Sequence, residues 1–210
     1  MRFIQFASAR LLWLLSLVLL AQCGTELGKP KRSNGGYFES NGFAGLWQTK
    51  CISGDGYSEY RQVKARDDQL WYRLVNFSGN DCLSSNLFRS YSRHMIGVEA
   101  VEPADLEGWK TFNWTVNSAS LVLHRDWIVN LYNKSEYFAI RDWAVNEPRE
   151  VSGLKATPQS RSELAIGATK VYTFTLDQDE LLFARYSDGE TALRSDSIKN
   201  RFMRIQTTVE

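Results

Sequence analysis

Beyond residue 45 the chain alternates between apolar and polar positions with a period close to two. Leu70, Tyr72 and Leu74 interleave with Trp71, Arg73 and Val75, so both faces of that run are partly apolar. Val171, Thr173 and Thr175 interleave with Tyr172, Phe174 and Leu176, and a similar run resumes at residues 181–186. Between them the polar tetrad Asp177-Gln178-Asp179-Glu180 predicts a hairpin turn. Further strand-like runs fall at residues 46–52, 58–66, 87–101, 111–116, 120–123, 127–133, 137–143 and 201–207. No long segment keeps the i, i+3, i+4, i+7 spacing of an amphipathic helix. Short helical turns are expected only at residues 103–109 and 159–166. About nine or ten short strands at regular spacing predict an all-β fold, an antiparallel barrel or sandwich.

The first 45 residues follow other rules. Met1 to Arg10 carries two positive charges, Arg2 and Arg10, and no acid; residues 11–21 are then apolar except for Ser16. A charged n-region before an apolar h-region predicts a secretory signal peptide. The apolar run is too short to span a bilayer, which takes roughly 20 apolar residues in a helix. Residues 24–45 are rich in Gly, Ser, Asn and Lys, and they lack the apolar content to build a core. The expected organisation is a signal peptide over residues 1–22, a flexible linker over 23–43 and one β domain over 44–210.

Charge narrows the partners. The whole chain carries 25 Lys plus Arg against 24 Asp plus Glu, and loss of Arg2 and Arg10 with the signal peptide leaves 23 against 24. A balance near −1 gives no electrostatic reason to bind nucleic acid, and no cofactor is implied. The basic stretch at residues 29–32 reads as a solvated part of the tether.

Leu20-Ala21-Gln22-Cys23-Gly24 resembles a bacterial lipobox, in which Leu and two small residues precede a Cys that is acylated and becomes the first residue. Gln22 departs from the Gly or Ala usual at its position. The resemblance implies a lipoprotein held at a membrane through Cys23, each buried methylene contributing about 0.8 kcal/mol. Ordinary cleavage near residues 21–23, or an uncleaved anchor, are the alternatives. Gly24 rather than Asp after Cys23 implies an outer-membrane destination in a host that has one. With Cys23 acylated, Cys51 and Cys82 remain as the pair expected to bond in an oxidising compartment. Two buried free thiols are the alternative. A bond would close a loop of about 30 residues and stabilise the fold by roughly 3 kcal/mol.

Gly45-Leu46-Trp47, then Cys51, then Asp81-Cys82 resembles the lipocalin-like domains of bacterial envelope lipoproteins, and also the extracellular APCDDC-type domain. The likeness covers mainly residues 44–83 and the final strand, without the Thr-Asp-Tyr turn that lipocalins carry mid-barrel. It implies a lipocalin-like antiparallel barrel of about 8–10 strands, opened by Gly45 and floored by Trp47. A basic residue of the last strand, Arg201 or Arg204, should cover that tryptophan by cation–π contact. The cysteine of the first strand is paired in that family with one at the end of the third, which again implies Cys51–Cys82.

Catalytic chemistry finds little footing. His94 and His124 are isolated within strand patterns, and Leu123-His124-Arg125-Asp126 reads as a polar strand end rather than a His–Asp pair. No nucleophile-elbow, metalloprotease or phosphate-loop motif is present. The carboxylates of Asp177, Asp179 and Glu180 read as a solvated hairpin tip, since the turn lacks the Gly and distal Glu of a calcium loop. The aromatic content is the stronger signal: six Trp, nine Tyr and nine Phe follow residue 22. Trp71, Phe88, Trp127 and Trp143 are candidate walls for a small apolar or amphipathic ligand held inside a barrel. Simple core filling, in an envelope module that binds a protein partner, is the alternative. Either way the expected function is non-enzymatic.

Overall fold

The computed structural model describes residues 36–101, 108–160, 163–185 and 201–205. The predicted signal peptide and Cys23 lie outside them, as do most of residues 103–109.

The described chain is all-β with two helices. A one-turn helix α1 (Tyr37–Ser40) precedes β1 (Gly45–Gln48), β2 (Ile52–Ser53), β3 (Tyr57–Arg66), β4 (Gln69–Ser78), β5 (Leu87–Val101) and β6 (Lys110–Leu123). Helix α2 (Asp126–Ser135) and β7 (Arg149–Glu150) follow, then β8 (Thr169–Asp177), β9 (Glu180–Arg185) and β10 (Arg201–Arg204). Every strand pairing is antiparallel, in the order β1-β10-β9-β8-β6-β5-β4-β3, and β3 returns to pair with β1. Eight strands therefore close a lipocalin-like barrel, with β2 added on β3 and β7 on β6. Closure leaves no unpaired edge in the ring, which is how a small antiparallel sheet avoids edge-to-edge association.

Cross-strand partners share a face, so the register traces the interior. Trp47 pairs with Val63, Val63 with Tyr72, Tyr72 with Arg93 and Arg93 with Ala119. On the other side Trp47 pairs with Arg204, and Phe112 with Tyr172. One end of this interior is packed with aromatic rings. Phe38, Phe43, Trp47, Phe112, Phe174 and Phe202 are all buried there, with ring centroids of Phe43 and Phe174 4.7 Å apart. At the other end α2 and the chain up to Val151 pack Ile128, Val129, Tyr132, Trp143 and Val151 onto Ala119, Leu121 and Leu123.

Five expectations are corrected. Residues 127–133 form the core of α2, not a strand. Their β-branched and aromatic residues suit either state, but Ile128, Val129 and Tyr132 are buried at helical spacing, with Asp126 in the first turn and Lys134 in the last. Residues 137–143 hold a 3₁₀ turn, Tyr137–Ala139, and no strand. The packed unit also starts earlier than residue 44, because Phe38 and Phe43 plug the barrel. Burial of those rings outweighs the turn-rich composition around them. Residues 111–116 and 120–123 are one strand, β6, interrupted where the register with β5 shifts between His94 and Met95. Of the expected helical turn at 159–166, the described residues hold no helix.

Candidate functional site

The floor of the barrel is built around Trp47, which is 0% exposed. Its indole Nε1–H donates to the Phe43 carbonyl at 2.8 Å, and the Arg204 guanidinium lies 4.2 Å from its ring centroid. The same guanidinium donates to the carbonyls of Ala44 (3.1 Å) and Gly42 (3.0 Å), fastening the segment before β1. Gly45 is required beside it. Its φ is +128°, and a Cβ there would stand 3.2 Å from Arg204 Nη1. Arg201 sits on the opposite strand face, exposed and paired with Glu180 at 2.8 Å. Arg204, not Arg201, is therefore the floor residue.

Cys51 and Cys82 are bonded, their Cα atoms 5.9 Å apart, and tie the β1–β2 connection to the chain leaving β4. The Cys82 N–H donates to the buried Ser58 hydroxyl at 2.9 Å, which holds the same corner independently.

The four candidate wall aromatics do not converge on one site; of them only Phe88 and Trp127 are in ring contact. Trp71 stacks on His94 with centroids 4.8 Å apart and planes 4° from parallel, and Lys64 lies 5.8 Å over it. Those residues alternate with Val63, Tyr72 and Arg93 and so belong to the outer face. Both ring nitrogens of His94 are engaged, by Gln69 Oε1 (3.1 Å) and Asn117 Nδ2 (3.0 Å), and burial lowers its pKa. Trp127 is 52% exposed on α2, its ring 5.3 Å from the half-buried Phe88. Trp143 is buried under α2 against Tyr132 at 5.4 Å, with its backbone N–H and C=O both held by the Asn133 amide.

What the interior brings together instead is a band of polar side chains beyond the aromatic floor. Arg61 pairs with Glu59 at 3.0 Å; Glu59 accepts from the Asn76 amide at 3.4 Å; the Asn76 carbonyl accepts from Arg89 Nε at 3.0 Å. Arg89 then donates to the Tyr132 hydroxyl at 3.0 Å, joining the barrel wall to α2. Arg93 donates to the Tyr91 hydroxyl at 2.9 Å and pairs with Glu163, from the loop before β8. Burial raises the pKa of Tyr72, with Arg61 pulling it back in part, and burial likewise raises Tyr91. These hydroxyls stay protonated at neutral pH and remain donors.

No family model matches the chain, and no curated protein is significantly similar to it. The reading therefore rests on geometry.

Other sequence candidates resolve into structural contacts. His124 meets Ser90 Oγ at 3.0 Å and Asn146 Oδ1 at 2.8 Å, not Asp126. The order Ser–His–Asn is that of nucleophile, base and orienter. Ser90, however, is only 4% exposed and lies mid-strand opposite Val75 and Val122, so this is a clasp between β5 and residue 146. Asp179 lies 3.6 Å from Arg204 and Glu180 pairs with Arg201, which commits the acidic hairpin tip to arginines. No group of three potential metal ligands forms among the described residues. The Asn76 and Asn133 amides are spent on Glu59, Arg89 and Trp143.

Proposed function

We propose that this chain is an exported cell-envelope lipoprotein, tethered through Cys23, whose barrel holds a small amphipathic ligand without chemical change. One observation carries the reading. The inner face of a single closed barrel passes from the aromatic floor around Trp47 and Phe112 to a band bearing Arg61, Tyr72, Arg89 and Arg93. A small-molecule site usually combines apolar lining with a few convergent polar groups, and this face carries both kinds of residue. The h-region, the Leu20-Ala21 pair and the odd cysteine supply the export half of the proposal.

The alternative is a filled barrel that serves as a protein-interaction module. Trp127 and Leu131 favour it, since both are exposed and lie one turn apart on α2. Native-mass analysis of the protein purified from its own host separates these readings. The proposal expects a polypeptide beginning at Cys23, heavier by its acyl groups, with a released small molecule on activation. A mature chain beginning after Cys23 removes the anchor, and an acylated chain that releases nothing favours the interaction module.

A further inference from the structure

Helix α2 buries one face and leaves the other bare. Ile128, Val129 and Tyr132 are buried against the barrel, and the opposite stripe carries Trp127, Asn130, Leu131 and Lys134, all exposed. Trp127 and Leu131 stand one turn apart at 52% and 45% exposure. Phe88 extends the patch, half-buried with its ring 5.3 Å from Trp127. Large apolar side chains exposed together mark a surface that something covers.

The charges on the stripe select the cover. Asp126 opens the helix and Lys134 lies in its last turn; both are exposed, and neither enters an ion pair among the described residues. The charges beside them are committed. Arg125 donates to the carbonyls of Ser85 and Leu87, and Glu136 pairs with Arg141 at 2.9 Å. A lipid surface favours basic residues along such a face, and a strongly charged partner favours a single sign. One acid at one end and one base at the other complement each other only when the stripe meets its own copy in the opposite direction.

We propose that two copies of this chain pair through an isologous, antiparallel contact between their α2 helices. With the two-fold axis between Asn130 and Leu131, each Asp126 meets Lys134 of the second copy, and each Trp127 lies along that lysine's methylene stem. The Asn130 and Leu131 side chains meet their own counterparts, and an amide, being both donor and acceptor, satisfies its symmetry mate. One face of a ten-residue helix is smaller than the roughly 800 Å² per partner of a standard interface. The pair is therefore weak, with a dissociation constant on the order of tens of micromolar. It does not depend on whether the barrel holds a ligand.

The test is oxidative cross-linking of the full chain by copper–phenanthroline, read on non-reducing gels. Cys51 and Cys82 are already bonded, so a cysteine added on α2 reports contact between copies, and the parent chain beside it measures any contribution of Cys23. Asn130→Cys, next to the two-fold axis, should give a disulfide-linked dimer. Ser135→Cys should not rise above the parent, because its symmetry mates stand about 14 Å apart along the axis at the helical rise per residue. In the Asn130→Cys chain, Lys134→Asp sets acid against acid and should slow cross-linking by roughly tenfold. Adding Asp126→Lys exchanges the two charges and should restore the rate. All four side chains are exposed, so the variants keep the fold. Equal cross-linking at positions 130 and 135, none at either, or a rate at 130 that the reversal leaves unchanged or the exchange fails to restore would overturn the proposal. So would an Asn130→Cys adduct with a different protein.

Discussion

Replacing Trp47 with alanine is expected to destabilise the barrel by about 3–5 kcal/mol, the range for truncating a large buried aromatic. The side chain is fully buried among Phe43 and its neighbours, and its removal also deprives the Phe43 carbonyl of its indole donor. Arg204 would lose the ring it covers at 4.2 Å while still being held over the Gly42 and Ala44 carbonyls. A domain of this size is held by roughly 5–15 kcal/mol, so the variant should approach the edge of folding. Urea unfolding of Trp47→Ala beside Trp127→Ala gives an internal control. Trp127 is about half exposed on α2, and its loss should cost far less. Equal losses at the two positions would remove Trp47 from its place as the floor of the fold.

The second large effect belongs to the disulfide. Cys51 and Cys82 are 31 residues apart, and on the chain-entropy model such a closure contributes about 3–4 kcal/mol. That contribution acts mainly on the unfolded chain. In the folded state the corner keeps other ties: the Cys82 N–H on Ser58 and the Ser53 hydroxyl on the Asn80 carbonyl at 2.7 Å. The double variant Cys51→Ser/Cys82→Ser should therefore unfold at a clearly lower urea concentration while keeping the native circular dichroism. A midpoint indifferent to the substitution, with equal slopes, would mean the unfolded chain is already constrained at this loop.

The strands that close the barrel were legible where β-rich runs lay between turn residues, as along β3, β4 and β5. The floor was legible too, because Gly45, Trp47 and a last-strand arginine sit in a spacing that resembles lipocalin-like domains. The choice between Arg201 and Arg204 follows from parity: three residues apart, they take opposite faces, and Arg204 shares its face with the buried Phe202. Helix α2 was not legible, since ten residues rich in Trp, Ile, Val and Tyr satisfy both periods and only packing under Tyr132 and Trp143 selects the helix. The wall aromatics failed to converge because β4 is apolar on both faces, which leaves the orientation of Trp71 open until the register is known. The interior arginines escaped for the opposite reason. Polar positions in a strand are ordinarily assigned to solvent, yet Arg89, Tyr91 and Arg93 alternate with Ser90 and Ser92. That contrast of large polar with small residues was the available sign that the polar set faces inward.

The central claim, a barrel that accepts a small amphipathic molecule, is tested most directly by titrating the mature chain with N-phenyl-1-naphthylamine, a neutral dye that brightens on leaving water. The account predicts saturable, one-to-one enhancement with a dissociation constant on the order of micromolar, reversed by a long-chain fatty acid competitor. It also predicts transfer of tryptophan excitation to the dye, since Trp114 and Trp47 line the interior. Enhancement that never saturates, or that competitor leaves untouched, would contradict the claim and leave the exposed face of Trp127 and Leu131 as the feature to pursue.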